Sequence, residues 1–79
     1  MSKPWAYIIG DELLWLQKEA GLSQAQVAES MKMARPLVAR MEKGVHVIGM
    51  LNFARYCRAT GADPGAALKR ILAQYDAER

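Results

Sequence analysis

The side chains best placed to do chemistry lie between Ser23 and Lys43. Counted in helical turns from Gln24, the inward positions are Val27, Ala28, Met31, Met33, Val38 and Met41, all small or apolar. The outward positions are Gln24, Gln26, Arg35, Leu37, Arg40 and Lys43, mostly polar and free to face a groove. An arginine carries a planar fork that makes two hydrogen bonds to guanine O6 and N7, typically worth ~1–3 kcal/mol of discrimination between bases. Lysine and helix-terminal N–H groups serve phosphates instead. This set is therefore suited to holding a polyanion and reading it, not to breaking bonds.

The distribution of charge agrees. Over residues 1–22, Lys3 and Lys18 against Asp11, Glu12 and Glu19 give −1. Over residues 23–60, Lys32, Arg35, Arg40, Lys43, Arg55 and Arg58 against Glu29 and Glu42 give +4, and residues 61–79 balance. The whole net charge of +3 thus comes from the central half, the pattern of a polyanion-binding face. Catalytic and metal chemistry have no support. His46 is the sole histidine and Cys57 the sole cysteine, too few for a Cys/His ligand set. No nucleophile–base pair or phosphate-cradling glycine loop is visible. The expectation is a protein that is not an enzyme and carries no cofactor and no metal.

Seventy-nine residues make a single domain, residues 1–79, with a small core and no disulfide to staple it. One thiol, no signal peptide and no apolar run near the ~20 residues that span a bilayer point to a cytoplasmic protein with no membrane partner. No strand pattern appears, and helical periodicity runs throughout, so the fold class is all-α with five helices in a compact arrangement. The first helix runs from Gly10, or from as early as Pro4, to Ala20, with Ile9, Leu13, Leu16 and Ala20 on one stripe and Gly21 as its stop. Ser23 caps the second, about residues 24–31, with Gln26 at the capping-box position. Lys32, Met33 and Ala34 form a tight turn into the third, which starts at Arg35 or Pro36 and ends at Gly44. The fourth covers about residues 49–60. Asp63 caps the fifth, Pro64 opens it, and Leu68, Ile71, Leu72 and Tyr75 stripe its inner face. Cys57 reads as a small core residue, and Met31, Met33, Met41 and Met50 as core filler.

Two short helices joined by three residues make a helix-turn-helix at about residues 24–43. Here the chain resembles the phage repressor–Cro, or XRE-type, helix-turn-helix family over about residues 9–75. Gly21-Leu22-Ser23-Gln24 is similar to the family's G-L-S-Q, and Met41-Glu42-Lys43-Gly44 to its I-E-x-G. Phe53, Cys57 and Ala59 fall where its fourth helix is apolar. The resemblance implies a lambda-repressor-like domain that binds double-stranded DNA in the major groove, as a homodimer on a palindromic operator, to regulate transcription as a repressor. It implies that Gln24 lies beside a phosphate or base, that Arg35 and Arg40 read bases from one helix face, and that Ser23 and Lys43 touch phosphate. Pro36 and Leu37 occupy positions that often meet bases through apolar contact. The alternative is a protein-interaction module, antitoxin-like or adaptor, with weak non-specific DNA binding and a protein partner.

The sequence departs from the family pattern in places. Lys32 and Ala34 stand where glycine and a capping serine are common. Pro36 disfavours helical geometry at Arg35 and so places the helix start at 36. Gln17 replaces an arginine that pairs with the glutamate matched by Glu42, and a Gln17–Glu42 hydrogen bond is the expected substitute. Arg55 and Arg58 read as surface charges and His46 as a plain loop residue, with phosphate contact the lesser reading for all three. Trp5, Ile8 and Trp15 recur at helical spacing on a second face of the first helix. They pack under the fifth helix, or form a subunit interface with Tyr75 or Leu72, and the two roles are compatible.

Overall fold

A computed structural model describes residues 4–45 and 48–78. They form α1 (Trp5–Glu19), α2 (Gln24–Met31), α3 (Arg35–Lys43), α4 (Met50–Ala59) and α5 (Pro64–Ala77). Among the described residues there is no strand, and no helix is long and apolar enough to cross a membrane. The radius of gyration, 11.8 Å, is close to the ~12 Å of a compact chain this long.

Local chemistry sets most of the helix ends. Ser23 Oγ accepts from the Gln26 backbone N–H at 3.1 Å, while Ser23 N–H donates to Gln26 Oε1 at 2.7 Å. This reciprocal pair satisfies two donors at the start of α2. Asp63 Oδ2 accepts from Ala66 N–H at 2.9 Å ahead of Pro64. No side chain caps α3 at Ala34. Helix α3 nevertheless begins at Arg35, one residue earlier than Pro36 suggests. Its first carbonyl, that of Ala34, accepts from Leu37 and Val38, and Pro36 lacks only an N–H that no carbonyl in the first turn would have taken.

Lys32 ends α2 in the left-handed region, at φ 53°. Its N–H and that of Met33 close back on the carbonyls of Glu29 and Ala28. A left-handed backbone costs a non-glycine residue roughly 1–2 kcal/mol. Lys32→Gly should therefore raise stability by about 0.5–1 kcal/mol after glycine's own entropic cost, read as a higher urea midpoint. A lower midpoint would mean that the lysine side chain itself holds the turn.

The core gathers Leu13, Leu16, Val27, Ala28, Met31, Val38, Met41, Tyr56, Cys57 and Ala67. Helix α1 packs between α3 and α5, so it buries an arc wider than one stripe. This corrects the reading of Ile8, which is fully buried and belongs to no exposed face, whereas Ala20 is exposed. On α5 the buried positions are Ala67 and Ile71, and Leu68 and Leu72 remain 48% and 44% exposed. The small Ala67 side chain lets α5 sit close, which turns the seam one position from the expected stripe. Met33 is partly buried, and Met50 is on the surface, not in the core.

The approach of α1 to α3 is backbone on backbone. A methyl group at Gly10 would lie 2.6 Å from the Glu42 carbonyl oxygen and 2.9 Å from the Gly44 nitrogen. One at Gly44 would lie 2.6 Å from the Ala6 carbonyl oxygen, and Gly44 also has φ +70°. The two glycines let the first helix rest directly on the end of α3.

Candidate nucleic-acid interface

Helix α3 buries Val38, Met41 and Glu42 against Val27, Ala28 and Met31 of α2 and the rest of the core. That fixes its roll and leaves Arg35, Pro36, Leu37, Arg40 and Lys43 exposed. Pro36, Arg40 and Lys43 follow i, i+4, i+7 spacing and make one outward stripe with Leu37 beside it. Arg35 is not on that stripe. At 3.6 residues per turn it sits roughly 140° round from Arg40, on the edge facing α2, which corrects the reading of the two arginines as one face. Arg40 and Lys43 also lie in the last turn of α3, where cations complement the helix dipole.

The position of Arg35 is explained by Glu42. This carboxylate is only 7% exposed, and a charge so placed needs partners. Oε1 accepts from Gln24 Nε2 at 2.8 Å, and Oε2 accepts from the Tyr56 hydroxyl. With its amide N–H₂ turned to Glu42, Gln24 presents its oxygen outward, and that oxygen accepts from Arg35 Nε at 3.1 Å. The chain Tyr56–Glu42–Gln24–Arg35 thus runs from the core to the surface. It occupies the guanidinium's inner nitrogen and leaves the outer Nη1/Nη2 fork for an acceptor pair. Burial, and then the bond to Glu42, push the Tyr56 hydroxyl well above the ordinary tyrosine range, so it remains a donor.

Gln17 does not take the expected part. Its Oε1 is buried without a hydrogen-bond partner, and Gln24 and Tyr56 hold Glu42 instead. The sequence pattern does not single out Tyr56; a tyrosine beside the core cysteine of α4 is the one signal it offers. Ser23 is exposed, with its hydroxyl oxygen committed to the cap, and it stands next to Gln24 at the mouth of the same site.

Arg55 has a structural task. Nη2 donates to the Met31 carbonyl at the end of α2, and Nη1 donates to Asn52 Oδ1 at 3.3 Å. With Lys32 and Arg58 it lines a notch between α2 and α4. His46 lies outside the described residues. Cys57 is fully buried, and its thiol is pushed up to about 11 by burial first, so it stays protonated and unreactive at neutral pH.

The second face of α1 splits. Trp5 stacks on Tyr75 with ring centroids 3.8 Å apart. Trp15 is covered on one side by Arg70, 4.9 Å from its ring centre, while Arg70 Nε donates to Glu12 Oε2 at 2.7 Å. These aromatics therefore pin α5 to α1 within one chain.

A short turn between two helices, the second with an outward cationic stripe and a buried root, defines a helix-turn-helix DNA-binding domain. The chain belongs to the helix-turn-helix domain family, whose model matches residues 8–71. Its fold is similar to that of the clp gene regulator ClgR from C. glutamicum, with a TM-score of 0.83 and 18% identity, covering 90% of this chain and 92% of that one. It is also similar to an XRE-family like protein from Pseudomonas syringae pv. tomato str. DC3000, with a TM-score of 0.79 and 26% identity, covering 87% and 84% of the two chains. No curated protein matches the sequence. The XRE-type resemblance and the all-α, five-helix architecture hold: the matching family model and both similar structures are of helix-turn-helix proteins.

Proposed function

We propose that this protein is a cytoplasmic, nucleoid-associated transcriptional repressor that binds a palindromic operator as a homodimer. Each copy lays α3 in the major groove, with half-sites about one helical turn apart. Arg35 and Arg40 read bases and Leu37 and Pro36 add apolar contact. Lys43, Ser23 and the start of α2 at Gln24 hold phosphates. The observation that carries this reading is the buried Tyr56–Glu42–Gln24 chain behind Arg35. A surface arginine with no task does not need its inner nitrogen fixed from the core. Two copies double the readout and make operator symmetry mirror protein symmetry, and occupancy of the site blocks access to the promoter.

The test is selection of binding sites from a random duplex library, followed by titration of the selected sites at two salt concentrations. Wild type should recover a palindrome. The Arg35→Ala, Arg40→Ala double variant should bind it roughly 10²-fold or more weakly, from ~1–3 kcal/mol per arginine, while keeping salt-sensitive background binding. If no motif emerges and both proteins bind alike, the repressor reading fails. A protein-interaction module, with its weak and sequence-blind DNA binding, then takes its place.

A further inference from the structure

Among the described residues the most exposed large apolar side chains are Met50 and Leu51, 87% and 73% exposed in the first turn of α4. Beside Leu51 runs a groove of about 280 Å³ lined by Trp5, Ile9, Ile48, Phe53, Leu68 and Ile71 together with Met50 itself. Leu72, also exposed, lies one turn from Leu68 along α5. From Gly44 to Ala54 the sequence holds no Asp, Glu, Lys or Arg, within the half of the chain that supplies all of its excess positive charge. We infer that this flank, and not the Trp15 edge of α1, is where a second copy of the chain docks, with Met50 and Leu51 of each copy seated in the groove of the other.

Three observations select a second copy as the occupant. The flank carries both projecting side chains and the groove to receive them, which is what a two-fold axis requires of a surface that meets itself. Each copy has a net charge of +3, so two copies repel wherever their cations face each other; the uncharged segment is where they approach without that cost. The exposed apolar side chains make a patch on the order of 500 Å² per copy, as large as monomers ordinarily show. Doubled across the axis, that reaches roughly 1,000 Å², the lower limit for a specific interface. The pairing is accordingly weak in free solution and completed on DNA. A molecule of 35 × 22 × 21 Å beside its copy suits groove turns ~34 Å apart.

This inference rests on the homodimer reading above, and its test separates the two. Sedimentation equilibrium on wild type, Met50→Glu/Leu51→Glu and Trp15→Glu examines pairing without DNA. Binding to the selected palindrome and to its isolated half-site examines it with DNA. Circular dichroism melts check folding, which the Met50 and Leu51 changes should leave intact and which Trp15→Glu should weaken only modestly, through loss of the ring beneath Arg70. The expected result is a reversible wild-type dimer whose dissociation constant rises at least tenfold in Met50→Glu/Leu51→Glu. Cooperative binding to the palindrome should be lost in that variant, with half-site affinity changed less than threefold and Trp15→Glu like wild type. Pairing that survives Met50→Glu/Leu51→Glu, or is lost in Trp15→Glu instead, overturns the assignment of this flank. So does a wild type that is monomeric both in solution and on the palindrome. Loss of half-site recognition in wild type itself would count against the DNA-reading function, leaving the sedimentation result to judge the interface alone.

Discussion

Glu42→Ala should lower the melting temperature by about 10 °C or more. The change leaves the Tyr56 hydroxyl, fully buried, without its acceptor, and frees the part-buried Gln24 amide. Each orphaned group costs about 1–3 kcal/mol, and for a domain this small 1 kcal/mol moves the midpoint by about 4–8 °C. Glu42→Gln should be milder for stability yet harmful to recognition. The new amide oxygen can accept from Tyr56, but its N–H₂ then meets the N–H₂ of Gln24. Gln24 must turn over, and Arg35 Nε loses the oxygen it donates to. Tyr56→Phe tests the other end. Tyrosine ordinarily ionises near pH ~10, and the folded chain holds Tyr56 well above its ordinary value. The contribution is fully present below pH ~10 and is lost as pH climbs beyond it, because unfolding then releases the proton. Urea melts from pH 8 to 11 should show this alkaline decline in wild type and a shallower one in Tyr56→Phe. A Glu42→Ala protein within about 0.5 kcal/mol of wild type, inside the range of ordinary surface substitutions, would show that the chain from core to Arg35 carries no weight.

The second large effect is expected at Gly10. Replacing an interior helical glycine with alanine ordinarily stabilises by up to ~1 kcal/mol. Here the added methyl would stand 2.6 Å from one backbone atom and 2.9 Å from another, neither of which can rotate away. Helix α1 must lift off the end of α3, loosening the contacts of Ile8 and Leu13, and overpacking of this kind costs about 1–3 kcal/mol. The sign therefore reverses, and Gly10→Ala should be destabilised by a net of up to ~2 kcal/mol. Gly44→Ala should suffer similarly, with the strain of φ +70° added. Gly21→Ala is the control, since it has positive φ but nothing within 4 Å; it should lose only the conformational part, ~1 kcal/mol. Urea midpoints for the three variants decide the matter. Equal losses at Gly10 and Gly21 would remove the case for a close helix contact.

Most of the fold could be read from local rules. Ser23 with Gln26, Asp63 with Pro64, and glycines at 21, 44 and 61 mark helix ends by chemistry confined to three or four neighbouring residues. What could not be read depends on distant partners. On α5 the series Ala67–Ile71–Tyr75 and Leu68–Leu72–Tyr75 have nearly the same spacing. Hydrophobicity favours the second, and only the nearness of the neighbouring helices selects the first. Ile8 looked like part of a surface stripe because α1 is covered on two sides, and a single-stripe reading allows for one. Position in the family pattern makes Gln17 the expected partner for Glu42, but the carboxylate is held by Gln24 of α2 and by Tyr56 of α4, fourteen residues beyond it. The outward positions of α3 were legible as a set. How Arg35 is held is not legible there, whereas its separation from Arg40 follows from the five-residue spacing at 3.6 residues per turn.

That separation bears on how recognition could change over evolutionary time. Leu37 and Arg40 face outward and contribute little to the core, so either can be exchanged by a single mutation with little risk to folding. Arg35 is tethered through Gln24 to a buried carboxylate. A new side chain there inherits an acceptor oxygen shaped for an N–H donor, and a residue lacking one leaves that oxygen without its partner. Drift in sequence preference should therefore be quick at the outward stripe, whereas position 35 should change mainly together with position 24.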